Sequence, residues 1–159
     1  MVYKHFVVHP DTVTDAHLAS CAAGLQGKFK EFKSLFWVKG FGEYKKTRDA
    51  TVMAKDALLA MGKEVGLNMA RFEADMAGEE CKGRIQADMN ELRKFGIRAT
   101  PSFYVNGKFT MYPGPAQFKA IVDQELAEVE KSGVAADQYY QKVVMEKGEK
   151  KFKSKVSGG

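Results

Sequence analysis

The chain has 159 residues, with 45% apolar and 28% charged side chains, the balance of an ordinary globular fold of one domain or one domain plus an appendage. No run of about 18 apolar residues occurs, which excludes a membrane-spanning helix. Much of the positive excess behind the net charge of +5 sits near the C-terminus, where Lys142, Lys147, Lys150, Lys151, Lys153 and Lys155 face only Glu146 and Glu149. Phe152 is the one aromatic beside that lysine run. The segment therefore reads as a solvated helix and not as a nucleic-acid platform, which needs stacking rings as well as charge.

Val2 to Val8 is rich in β-branched and aromatic residues and reads as a buried strand closed by Pro10 and Asp11. No charged-then-apolar leader precedes it, so a signal peptide is not expected within the chain. Thr14 to Leu25 follows as a helix whose Ala16, Ala19, Ala22 and Ala23 make a thin face for close packing. Phe29, Phe32, Phe36 and Trp37 recur at helical spacing after the Gln26-Gly27-Lys28 break, and are assigned to the core. Residues 39 to 49, with two glycines and many charges, read as a loop.

Ala50 to Val65 is expected to be helical, with Ala54, Leu58, Met61 and Val65 on one face and Gly66 ending it in the left-handed conformation. Asn68 is placed to cap a helix running to Met76. Gly78 to Phe95 is the next helix, with Ile85, Met89 and Leu92 inward and Gly96 beyond its end. Ser102 to Val105 and Phe109 to Tyr112 are two strands joined by Asn106-Gly107, the strongest short hairpin signal. Pro115 opens a helix lined by Phe118, Ile121, Val122 and Leu126. A terminal helix from about Ala135 to Lys153 carries Tyr139, Tyr140, Val143 and Val144, and Ser157-Gly158-Gly159 ends the chain.

Few of these residues suggest chemistry by type and spacing alone. His5, His9 and His17 lack the spacing of metal ligands, and His5 is expected to be a hydrogen-bonded residue at the sheet. Asp11, Asp15, Asp56 and Glu64 form no acid–base pair, and neither a phosphate loop nor a nucleophile elbow occurs. Cys21 lies among alanines and reads as a small buried thiol. Cys81, at a helix start beside Glu79 and Glu80, reads as an exposed thiol. The spacing neither requires nor forbids a bond between the two. Tyr112 is a candidate to flank the turn at Thr100-Pro101.

Taken in order, several stretches resemble the DsbA-like thioredoxin family. They are His5-Phe6 after a strand, Ala22 to Phe29, Val65-Gly66-Leu67-Asn68 with Phe72, Gly96 to Gly107 with its Thr-Pro corner, and Phe118 to Leu126. The resemblance covers roughly residues 2 to 130. It implies an α/β, partial thioredoxin-like fold: a small sheet of one N-terminal strand plus a C-terminal hairpin, with helices packed on it. Residues 1–130 would form the domain, with a helical insertion at about 11–95, and 131–159 a Lys-rich helical appendage.

The resemblance also implies a thiol-disulfide oxidoreductase acting on cysteine-containing or extended polypeptides, in an exported or periplasmic setting and without a cofactor or metal. That family's first strand and Cys-x-x-Cys segment have no counterpart here. The chemistry needs a low-pKa thiolate at a helix N-terminus and a second thiol to resolve the mixed disulfide. No catalytic residue therefore carries over, and the chain is expected to be redox-inactive as it stands. The element that does carry over is the corner, Ala99, Thr100 and Pro101, which in the family holds the substrate backbone next to a cis proline. The alternative is a non-enzymatic module that binds a peptide or associates with itself through that corner and an open sheet edge, as a homodimer or by strand complementation.

Overall fold

The computed structural model describes residues 2–111 and 113–148, and these form two compact units that divide between Glu91 and Leu92. Unit one is helical. Its α1 (Pro10–Leu25) starts at a proline, where no amide donor is needed. α2 (Phe29–Leu35) continues through a π-helical turn, Phe36–Gly40, into α3 (Phe41–Thr47), so the expected loop at 39–49 is helical as far as Thr47. A 3-10 turn (Ala50–Met53) then leads to α4 (Lys55–Glu64) and α5 (Met69–Ala77). α6 (Glu79–Lys94) begins in this unit and carries the chain into the second.

The thin alanine face works as its composition predicts. Ala19, Ala22 and Ala23 are fully buried and let α5 pack closely on α1. Phe32 and Phe72, both fully buried, meet at a ring-centroid distance of 5.7 Å and centre this core. The ends of α1 and α5 are tied by polar contacts. Asn68 accepts from the Arg71 amide at 3.0 Å as the cap of α5, and Arg71 donates back to the Leu25 carbonyl at 3.1 Å. Gly66, at φ +77°, ends α4 and returns Leu67 to the core.

The expected strand at Val2 to Val8 does not form. Among the described residues the sheet has two strands, and neither lies in this segment. Strand-forming side chains make a strand only where a ladder partner is offered. Here the segment's amides go to side chains of α6 instead. The His5 amide donates to Asp88 Oδ2 at 2.9 Å, the Val7 amide to the Met89 sulfur at 3.1 Å, and Lys4 pairs with Glu91 at 2.7 Å. His5 is accordingly a partner of helices and not of the sheet.

Unit two holds β1 (Ser102–Val105), β2 (Lys108–Met111) and α7 (Pro115–Ser132). α8 (Ala136–Tyr139), a π-helical turn (Tyr140–Val144) and α9 (Met145–Lys147) follow. The strands pair antiparallel, Ser102 opposite Met111 and Val105 opposite Lys108. Asn106 and Gly107 turn between them at φ +47° and +79°, as a two-residue hairpin requires. Phe103 stacks on Phe118 of α7 at 4.8 Å, while Tyr104 packs on Phe95 at 5.4 Å, the alternation that a strand imposes. Tyr112 and the lysine-rich end beyond Gly148 lie outside the described residues.

Candidate functional site

The corner is built by the way α6 stops. Gly96 sits at φ +67°, its amide donates to the Arg93 carbonyl at 3.0 Å, and the Ile97 amide reaches the Leu92 carbonyl at 3.2 Å. This pair of bonds is a Schellman cap, which reverses the chain and buries Ile97. The reversal delivers Arg98 to Pro101 as an irregular turn leading directly into β1. The Thr100–Pro101 peptide is cis. Ser102 Oγ donates to the Ala99 carbonyl at 2.7 Å and closes the turn on itself. Thr100 and Pro101 are exposed and Ala99 is half-buried, so the three expected substrate-holding residues stand together at the start of β1. β1 has β2 on one side; no strand pairs with its other edge among the described residues.

The hairpin behind the corner is anchored by one buried carboxylate. Glu125 of α7 is 6% exposed and accepts from Lys108 Nζ at 2.7 Å and from Asn106 Nδ2 at 3.4 Å. The Lys108 ammonium is held above its ordinary pKa, chiefly by its hydrogen bond to that carboxylate. These contacts fix both ends of the Asn-Gly turn, and so the register of β1. Glu125 also lines a cleft of about 520 Å³ with Lys131, Tyr139 and Lys142, none of whose lining residues belongs to the corner.

Cys21 is buried as expected, but neither cysteine is a free thiol. Cys21 of α1 and Cys81 of α6 form a disulfide with Cα atoms 5.7 Å apart. Cys81 is fully buried, not exposed. The bond joins residues 60 apart in sequence, unlike a Cys-x-x-Cys pair. Sequence pattern could not find it, because the pairing depends on how α1 and α6 meet.

A second feature that spacing did not reveal is the approach of His5 to His17. Their Nδ1 atoms are 3.0 Å apart and the rings meet edge to face. Burial pushes the His17 pKa down to about 4, and the His5 ring adds to the effect. His5 is lowered as well, by burial, with Asp88 opposing the shift. Two facing imidazole nitrogens at that distance form one N–H···N hydrogen bond, one ring donating and the other accepting. Among the described residues no three His, Cys, Asp or Glu side chains gather as metal ligands. Trp37, assigned to the core from its spacing, is instead exposed.

The family model described as DSBA-like thioredoxin domain matches residues 5–124, most of the chain, from His5 through the corner and well into α7. No curated protein and no solved structure matches the chain. The matched span and the Thr-Pro turn between a helix and a hairpin lead to one assignment: the chain belongs to the DSBA-like thioredoxin domain family, a family of thiol-disulfide oxidoreductases.

Proposed function

We propose that this chain is the polypeptide-holding part of a DsbA-like disulfide oxidoreductase domain and performs no dithiol exchange of its own. Residues 1–130 form the domain in this reading, and 131–159 are an appended helical segment. One observation carries it. The corner at Ala99, Thr100 and Pro101 opens directly onto a β1 edge with no strand partner among the described residues, while both cysteines are locked in a buried bond. An extended substrate laid along that edge gains main-chain hydrogen bonds from β1, and the exposed Thr100 and Pro101 bound its path. Bonded to each other and buried, Cys21 and Cys81 offer neither a thiolate to attack a substrate disulfide nor a sulfur open to attack by a substrate thiolate. A buried structural disulfide fits an oxidising compartment, where the family works.

The test is a titration of the chain with an unstructured, cysteine-free peptide, followed by amide NMR shifts. The reading predicts shifts concentrated at residues 99 to 105 and a weaker complex in Pro101→Ala. Shifts confined to other elements, or none at all, would overturn it. The same open edge supports a second reading, self-association by strand pairing. Sedimentation across a dilution series separates the two: a monomer at all concentrations removes the second reading and leaves the first.

A further inference from the structure

Residues 28 to 48 carry chemistry that the corner does not use. Six aromatic rings fall in this stretch, together with seven lysines and arginines against two glutamates, a local excess equal to the whole chain's net charge of +5. Phe32 is in the core, but Trp37 is 54% exposed and Val38 64%. Trp37 and Val38 directly follow Phe36 at the start of the π-helical turn Phe36–Gly40, and steps of about 100° per residue carry them off the face that Phe32 buries. Two glycines permit the turn. A Cβ at Gly40 would stand 2.7 Å from the Phe36 ring, and one at Gly42 would stand 2.7 Å from the Trp37 carbonyl oxygen.

The rings around Trp37 form a continuous ladder. Trp37 meets Phe41 edge-on at 4.9 Å, Phe41 meets Tyr44 at 6.4 Å, and the Arg48 guanidinium lies 5.9 Å from the Tyr44 ring centre. Cations flank the ladder. Lys39 and Lys46 hold exposed pairs with Glu64 and Glu43, and Lys45, one turn beyond Phe41, has no ion pair among the described residues. Such exposed pairs are weak and exchange readily for another anion.

We propose that this face docks on the surface of an anionic lipid bilayer. Trp37 and Val38 enter the headgroup region, and Lys39, Lys45 and Lys46 meet the lipid phosphates. An exposed tryptophan and an exposed aliphatic side chain, followed by Lys39, Lys45 and Lys46 on the same helical segment, is a composition that binds an interface. That backbone satisfies its hydrogen bonds internally and offers no strand edge to an extended peptide.

Trp37 is the only tryptophan of the chain, so its fluorescence reports on this face alone. The full chain is titrated with vesicles of phosphatidylcholine containing phosphatidylglycerol, and with phosphatidylcholine alone. The expected result is a blue shift with the anionic vesicles only, reversed by salt, with quenching by brominated acyl chains. Replacing Lys39, Lys45 and Lys46 together by Gln is expected to weaken partitioning roughly 100-fold, at about one charge contact each. Val38→Asp, on the exposed apolar side, is expected to abolish the quenching. No blue shift with anionic vesicles, or a shift indifferent to the triple substitution, would overturn the proposal. So would a response to soluble polyglutamate without one to vesicles, which would assign the face to an acidic protein.

Discussion

Cutting the Cys21–Cys81 bond is expected to remove a large part of the stability of the first unit. The bond joins residues 60 apart and closes a loop that contains α2 through α5. Constraining a loop of that length lowers the entropy of the unfolded chain by about 14 cal/mol/K, which is about 4 kcal/mol at 25 °C. The folded side adds little to this figure, because a Cys-to-Ala change removes one buried sulfur at each site. For a chain of this size about 4 kcal/mol corresponds to a Tm lower by roughly 8–16 °C. The assay is thermal and urea unfolding of the wild type with and without reductant, beside the Cys21→Ala/Cys81→Ala variant. The expected outcome is that reduction and substitution give the same drop and that reductant does nothing further to the variant. A wild-type midpoint unchanged by a reductant that demonstrably frees both thiols would refute the loop-entropy argument. So would a variant within about 1 kcal/mol of the wild type.

Three further perturbations probe separate parts of the molecule. Phe72→Ala empties the space between Phe32 and Gly62, whose added Cβ would already stand 2.6 Å from the Phe72 ring, and is expected to cost about 3–5 kcal/mol in urea unfolding. The His17 pKa is pushed down to about 4 in the folded chain from its ordinary 6.5, so between those values the unfolded chain binds more protons. Stability should therefore be intact above about pH 6.5 and fall as the pH drops towards 4, by up to about 3 kcal/mol, with the slope reduced in His17→Gln. Lys108→Met leaves the buried Glu125 carboxylate with only the Asn106 amide as partner. It is expected to cost about 1–3 kcal/mol, measured by urea unfolding beside the wild type.

Where a structural rule is local, the sequence was sufficient. Gly96 before a buried Ile97, the Asn106-Gly107 turn, Asn68 as a cap and the alanine face of α1 each depend on residues within one turn or one hairpin. The features missed depend on what lies opposite. Val2 to Val8 has strand-forming residues, but α6 supplies Asp88 and Met89 where a ladder would supply carbonyls. Trp37 directly follows Phe36 and so stands about 100° round the helix from it, off the face that Phe32 buries, although its place in the aromatic run suggested the core. Cys81 was read from its neighbours Glu79 and Glu80, although its own side chain points at Cys21. At the candidate site, Ala99, Thr100 and Pro101 were legible because a Thr-Pro pair between a helix stop and an Asn-Gly hairpin is a specific order. The support from Glu125 was not, since a lone glutamate on a helix face gives no sign that it is buried.

The proposal that the chain performs no dithiol exchange is tested most directly by reduction of insulin by dithiothreitol, followed by turbidity, with the intact chain and with Cys21→Ala/Cys81→Ala. The account predicts that both proteins leave the uncatalysed rate unchanged. Acceleration by the intact chain that disappears in the variant would show that the Cys21–Cys81 bond exchanges with substrate, and would contradict it.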